Sequence, residues 1–247
     1  MIIGICRHCK KSFRKREQKY KFCSRYCSNN FNKNGLIKVA LPQSSNQLAE
    51  FVGICLGDGN VSKYQVGITL NSVADKEYIS YVMYLIHKLF PEIKISVIQK
   101  KEQAVDLRIN SRIVSEFFYN MGIIPHNKKI PAWIFTSPTY IKFCVRGLFD
   151  TEGSISFKIY VSKKGTSLYK QLNFRNYDKN LVMFVRDTLK GMGLKPTMNL
   201  AKSLYLSNHK SIDQFREEIG FGNPKLARRS KIYTIEEYSH WKKLADS

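Results

Sequence analysis

Two stretches of this 247-residue chain, 94 residues apart, close in the same way. Phe51-Val52-Gly53-Ile54-Cys55-Leu56-Gly57-Asp58-Gly59 and Val145-Arg146-Gly147-Leu148-Phe149-Asp150-Thr151-Glu152-Gly153 are apolar runs that end on an acid followed by glycine. The first belongs to a helical stretch opening at Leu48. The second opens after Ser137-Pro138, a good N-cap and first-turn pair. Each is followed by alternating, polar-rich segments that read as strands, such as Tyr64–Thr69 and Gln171–Arg175. Amphipathic helices come next: Tyr78, Val82, Leu85, Ile86 and Leu89 share one face, with Pro91 as the stop, and Leu181, Phe184, Val185, Thr188 and Met192 share another. More alternation follows (Val105, Leu107 and Ile109; Leu204 and Leu206). A last helix then closes each half, on Ile113, Phe117 and Met121, and on Ile212, Phe215 and Ile219. The order helix–strand–strand–helix–strand–strand–helix, occurring twice, predicts an α+β chain of two pseudo-symmetric αββαββα repeats over 45–134 and 137–247.

The two acids stand where an anion is disfavoured. The C-terminal end of a helix carries partial negative charge. Two such helices side by side would set Asp58 against Glu152 and add like-charge repulsion. A divalent cation resolves the conflict, and carboxylate oxygens suit Mg²⁺. Gly53 and Gly147, a turn earlier, would let the two helices approach closely.

Charge points the same way. Lys and Arg number 41 against 19 acids, a net of +22, which implies a polyanionic partner and above all nucleic acid. Residues 1–38 hold eleven Lys and Arg against one acid, Glu17, so one basic surface is dense and the other diffuse. Hydrophobic residues, 43% of the chain, suffice for a packed core, yet no apolar run is long enough to span a bilayer. The opening Met1–Lys11 lacks the extended apolar region of a secretory signal. The expectation is an intracellular, non-secreted protein with no membrane partner. No splicing block of the intein kind is recognisable.

Four of the six cysteines fall in the first 36 residues. Cys6, Cys9, Cys23 and Cys27 form C-x2-C, thirteen residues, then C-x3-C. Two close pairs separated by a loop can converge on a tetrahedral cation, and four sulfurs suit structural Zn²⁺ better than disulfides or a redox pair do. A segment this short builds no core of its own, so the metal would supply its folding energy. His8 is an alternative ligand. Cys55 and Cys144, inside apolar helical stretches, read as small buried hydrophobes.

The two nine-residue stretches resemble the paired motifs of the LAGLIDADG homing endonucleases. The resemblance covers about residues 45–240 and includes Ile130-Pro131-Ala132-Trp133-Ile134 between the repeats. Leu56 replaces the usual acid at the sixth position of the first motif, and Arg146 stands at the second position of the other. The eighth position, where the family keeps its metal-binding acid, is intact in both. Phe22-Cys23-Ser24-Arg25-Tyr26-Cys27 is similar to small zinc modules found beside phage and prokaryotic endonucleases. Arg14, Lys15, Arg16, Lys19, Lys21 and Arg25 around it would grip phosphate, or the module could contact a protein.

The resemblance implies a single-chain, monomeric, Mg²⁺-dependent enzyme of intron homing that cuts both strands of double-stranded DNA at a long, near-asymmetric target. It also implies antiparallel sheets forming a saddle on the duplex. Asp58 and Glu152 would hold the metal, with the backbone carbonyls of Gly57 and Thr151 as further ligands. Lys129 and Lys231, 71 and 79 residues after their acids, match the family's basic residues by position, or else contact phosphate. Strand residues offering base or phosphate contacts are Tyr64, Gln65 and Thr69, then Lys94, Ser96, Lys100 and Arg108, in the first repeat. In the second they are Lys158, Lys170, Gln171, Asn173 and Arg175, with Asn199 and Lys202. An RNA-splicing maturase or a non-cleaving DNA-binding regulator on the same scaffold is the alternative.

Overall fold

The computed structural model describes residues 2–15, 17–34, 39–124, 127–163, 165–199 and 203–245. Two compact units result, Met1–Val39 and Ala40–Ser247.

In the first unit, β1 (Ile2–Ile5) and β2 (Ser12–Lys15) pair antiparallel, with Ile3 opposite Arg14. The connecting turn is closed by Cys6 N–H on the Lys11 carbonyl and by Lys10 N–H on the Cys6 carbonyl, with Lys10 at φ 60°. Helix α1 (Arg25–Asn34) follows, and the Ser24 hydroxyl accepts the Cys27 N–H at its start.

The second unit runs α2 (Asn46–Gly57), β3 (Gly59–Ser62), β4 (Gln65–Asn71), α3 (Lys76–Leu89), β5 (Ile95–Gln99), β6 (Ala104–Ile109) and α4 (Arg112–Asn120). A two-stranded ribbon of β7 (Ile123–Ile124) and β8 (Asn127–Lys128) and a 3₁₀ turn at Ala132–Thr136 lead onward. The series then repeats as α5 (Pro138–Glu152), β9 (Gly153–Ser162), β10 (Gly165–Arg175), α6 (Lys179–Gly191), β11 (Thr197–Met198), β12 (Ser203–Leu206) and α7 (His209–Glu218). Two further helices, α8 (Pro224–Ser230) and α9 (Ile235–Ala245), have no counterpart among the described residues of the first repeat and no forecast in the pattern above.

Both four-stranded sheets are antiparallel and share one topology, β3-β4-β6-β5 and β9-β10-β12-β11. Period-two alternation gives each a covered face, built by Val66, Ile68, Leu70, Val105, Leu107 and Ile109 in one and by Ile155, Leu172, Phe174, Leu204 and Leu206 in the other. The faces expected for α3 and α7 are the buried ones. In α4 the buried face is Val114 and Phe118, one step round from the expected Ile113 and Phe117.

Helices α2 and α5 make the most extensive helix–helix contact among the described residues. Helix α2 is buried all round from Leu48 to Leu56, as a central helix must be. The Ser45 hydroxyl caps it by accepting the Leu48 N–H, and the Ser137 hydroxyl caps α5 by accepting the Thr139 N–H. The two helices run parallel and in register. A Cβ on Gly53 would fall 2.1 Å from the Cys144 carbonyl oxygen, and one on Gly147 would fall 2.1 Å from the Glu50 carbonyl oxygen. Cys144 and Glu50 are themselves 94 positions apart, so the contact maps onto itself when the repeats are exchanged. No helix among the described residues is long and apolar enough to cross a membrane.

Candidate active site and metal centres

Register between α2 and α5 brings their C-terminal ends together. A Cβ on Gly57 would meet the Thr151 hydroxyl at 2.1 Å and Glu152 Cγ at 3.2 Å, so the two acidic ends touch. Asp58 caps α2, its N–H bonded to the Ile54 carbonyl, and Glu152 is the last residue of α5. Burial and then the charge of Glu152 push the Asp58 carboxyl up to about 7, against the pull of Lys128. Burial raises Glu152 too, opposed by Lys128 and by a hydrogen bond with the Asn176 side chain. Two desolvated carboxylates at the negative ends of parallel helices form an oxygen donor set that fits a hard divalent cation.

The basic residue at this site is Lys128. Its Nζ donates to the carbonyls of Leu56 at 3.0 Å and Gly57 at 2.9 Å. Burial lowers its pKa, and the nearby charges of Asp58, Glu152 and Asp178 work the other way. Lys129 is exposed, and its backbone N–H donates to the Gly122 carbonyl. Strand β8 ends at Lys128, and neighbours on extended chain point to opposite sides, so one lysine enters the site and the next leaves it. Lys231 is likewise exposed, at the C-cap of α8. The second-repeat lysine that crosses to the other repeat is Lys225, 2.7 Å from the Asp75 carboxylate. Asp75 and Asp178 stand just before α3 and α6, so Lys225 and Lys128 face equivalent acids from opposite repeats.

A second buried polar cluster backs the helix pair. Arg146 pairs with Glu50 at 3.2 Å, and the Tyr81 hydroxyl donates to Glu50 at 2.7 Å. Asp150 accepts the backbone N–H groups of Gly222 and Asn223, both at 2.9 Å, while burial pushes its carboxyl up to about 8. This accounts for Arg146, one of the two departures from the motif pattern, and for Asp150, the usual acid at the sixth position of the second motif. Arg146 balances a buried acid on the partner helix, and Asp150 fixes the loop that starts α8. Cys55 and Cys144 are fully buried and free.

Opposite the helices, each sheet presents an open face. In the first, Gln65 lies across from Ser62, Thr69 from Asp106, and Ser96 from Arg108. Thr69, Lys100 and Arg108 all bond to Asp106. Tyr64 is exposed in the β3–β4 turn, and Lys94 is exposed just before β5. In the second sheet Lys158, Gln171, Asn173 and Arg175 share the open side, while Asn199 accepts the Ser203 N–H in the β11–β12 turn. Lys170 is a correction. It shares parity with Leu172 and Phe174, is wholly buried, and donates from Nζ to the Ser230 carbonyl at 2.6 Å beneath the Tyr233 ring. It points away from the open face. Lys202 lies outside the described residues, as does Arg16 in the first unit.

In the first unit the sulfurs of Cys6, Cys9, Cys23 and Cys27 lie within 4.8 Å of one another. Cys9 and Cys23 are 3.6 Å apart, and Cys23 and Cys27 are 3.4 Å apart. Four ligands at a tetrahedral Zn²⁺ with Zn–S of about 2.3 Å have sulfurs about 3.8 Å apart, so the cluster fits that ion. Burial raises the Cys6 thiol, but the backbone N–H groups of Cys23, Cys9 and His8 outweigh it and bring the thiol down to about 6.

No protein-family model matches the chain. Among curated proteins it is similar to two of Methanocaldococcus jannaschii. With the DNA-directed RNA polymerase subunit Rpo1C it shares 29% identity over 71% of this chain, and with the replication factor C small subunit 25% over 75%. The match spans only 19% and 10% of the length of those relatives. Among solved structures, I-DmoI in complex with DNA and Ca aligns with a TM-score of 0.51 and 19% identity, over 80% of this chain and 97% of that one. The LAGLIDADG meganuclease I-AabMI bound to uncleaved DNA gives 0.51 and 10%, over 83% and 99%. The I-LtrWI LAGLIDADG homing endonuclease bound to target DNA gives 0.50 and 13%, over 81% and 90%. The likeness is one of fold.

Proposed function

We propose that this chain, which has the LAGLIDADG homing-endonuclease fold, is a metal-dependent DNA endonuclease that cuts both strands at a specific site. The observation that carries the reading is the meeting of Asp58 and Glu152 at the ends of two parallel helices, in a unit whose two sheets each leave a polar face open. The solved structures aligned above are bound to DNA, and the excess of basic residues suits the same partner.

Asp58 and Glu152 would hold Mg²⁺, with the carbonyls of Gly57 and Thr151 as further oxygen donors. Held by these residues, such an ion would supply the Lewis acidity that activates a water and offsets charge developing on the leaving oxygen. The charge of Lys128 acts on both acids and works against the rise that burial imposes on each. Asn176 orients Glu152. A two-stranded ribbon fits the major groove, and the open-face side chains of each repeat would read base edges there. Thr69, Ser96 and Arg108 differ from Gln171, Asn173 and Arg175, so the half-sites would differ and the target would be near-asymmetric. One chain holding both repeats needs no partner copy. Lys129 and Lys231 are left to contact phosphate. The four-cysteine cluster would hold a structural Zn²⁺ in a basic module that grips the DNA backbone.

A plasmid library carrying randomised sites tests the reading. With Mg²⁺ the protein should linearise a discrete subset, and EDTA should abolish the cutting. Binding of a discrete subset without cutting would favour a non-cleaving regulator, and binding of intron RNA alone would favour a maturase.

A further inference from the structure

In the eight strands of the two four-stranded sheets, Asp106 is the one acidic residue among those described. Its position is costly for a surface meant to meet a polyanion. Strand β6 reads buried at Val105, Asp106 and Leu107 in succession, which breaks the alternation of a sheet with one open face. Asp106 is buried from the open side, under the side chains of Lys100, Arg108 and Thr69.

The contacts divide cleanly between its two oxygens. Oδ1 accepts from the Thr69 hydroxyl at 2.8 Å and from Lys100 Nζ at 2.7 Å. Oδ2 accepts from Arg108 Nη2 at 2.7 Å and Nε at 3.2 Å. Burial pushes the carboxyl up, but the bonds from Lys100, Arg108 and Thr69 outweigh it and hold it at about 2. With both oxygens taken, Asp106 has little left to accept the amino group of a cytosine itself.

What Asp106 leaves free is on Arg108. A guanidinium carries five N–H donors in a planar fork. Asp106 uses Nε–H and one Nη2–H, so the remaining end edge presents one N–H from Nη1 beside one from Nη2. The arginine side chain keeps 31% of its surface exposed, on the face away from the helices. Two parallel donors match the N7 and O6 acceptors of guanine in the major groove, a pair no other base offers there. Resting on the proposed DNA-binding function, we propose that Asp106 is a positioning residue that locks Arg108 to read one guanine, setting specificity without touching the base.

The test is selection by the full chain from a duplex pool with a randomised site, comparing wild type with Asp106→Asn, Arg108→Ala, Arg108→Lys and the Asp106→Asn/Arg108→Ala double variant. Wild type should enrich guanine at one position in one half of the site. Arg108→Ala should lose that preference, about tenfold to a hundredfold, and Arg108→Lys should keep only part of it, because a lysine ammonium can reach N7 and O6 but has no planar fork for Asp106 to lock. Asp106→Asn should lose it at the same position and nowhere else, and the double variant should be no worse than Arg108→Ala. Affinity for unrelated duplex should not fall in Asp106→Asn, since a negative charge leaves the DNA-facing side. An even loss at all positions in Asp106→Asn, or a fully retained guanine in Arg108→Ala, would overturn the proposal while the nuclease reading stands. If the wild type enriches no sequence at all, both fall together.

Discussion

Lys128 Nζ lies 2.9 Å from the carbonyl oxygen of Gly57, the residue before Asp58. One ammonium group therefore serves three anionic features: the negative end of α2, Asp58 and Glu152. Its nearest sequence neighbour does none of this.

That contrast yields a prediction. Lys128→Met should cut the cleavage rate by about a hundredfold or more, in the range of a lost electrostatic stabiliser. Binding to the same duplex should stay within a few-fold. Lys129→Met should leave the rate nearly unchanged and weaken binding slightly. Single-turnover rates at saturating protein, with gel-shift affinities alongside, separate the two lysines.

The glycines at the helix crossing give a second. Alanine at Gly53 or Gly147 puts a methyl 2.1 Å from a backbone carbonyl oxygen, which no side-chain adjustment can relieve. Either substitution should cost about 1–3 kcal/mol, an overpacking penalty, and lower the melting temperature by several degrees. Gly191→Ala, with nothing within 4 Å, should be neutral or slightly stabilising at the end of α6. Equal melting temperatures for all three variants would contradict the close backbone contact.

How far the sequence went is clearest at these residues. Helix ends, acids and glycines were legible because they sit on a strong apolar period that closes twice in one pattern. Lys128 was not, since Asn127-Lys128-Lys129 offers two lysines that differ only in the side of a short strand they face. Lys170 could have been placed correctly, for it shares parity with Leu172 and Phe174, which are plainly core residues. Asp106 is likewise at open-face parity with Arg108, but its burial depends on side chains folding over it, which no periodicity encodes. The buried pair Glu50 and Arg146 needed the α2–α5 register before either could be seen as a partner.

Lys170 predicts a pH dependence. Burial lowers its pKa to about 8, against the charges of Asp213 and Glu237. Between about 8 and the 10.5 of the unfolded chain, the unfolded state binds a proton that the folded state has lost, so stability rises with pH from this group. The melting temperature of wild type minus that of Lys170→Met should therefore grow between pH 8 and 10.5 and stay flat between pH 6 and 7.5. A difference independent of pH across the upper range would remove the buried ammonium from the account.

Zinc removal should act on the first unit alone. A strong chelator should release about one zinc per chain and unfold residues 2–34, seen as lost amide-exchange protection, while 40–245 keep theirs. Cys9→Ser or Cys23→Ser should do the same without chelator. Protection that survives in the metal-free first unit would show that β1, β2 and α1 hold together without an ion.

The most direct measurement is strand-resolved cleavage, with Mg²⁺, of a duplex recovered from the randomised library by wild type, Asp58→Asn and Glu152→Gln. Wild type should cut both strands, and each variant should lose cutting by at least about a thousandfold while binding the duplex within a few-fold of wild type. Full cutting by either variant, or equal cutting in EDTA, would contradict the account at its centre.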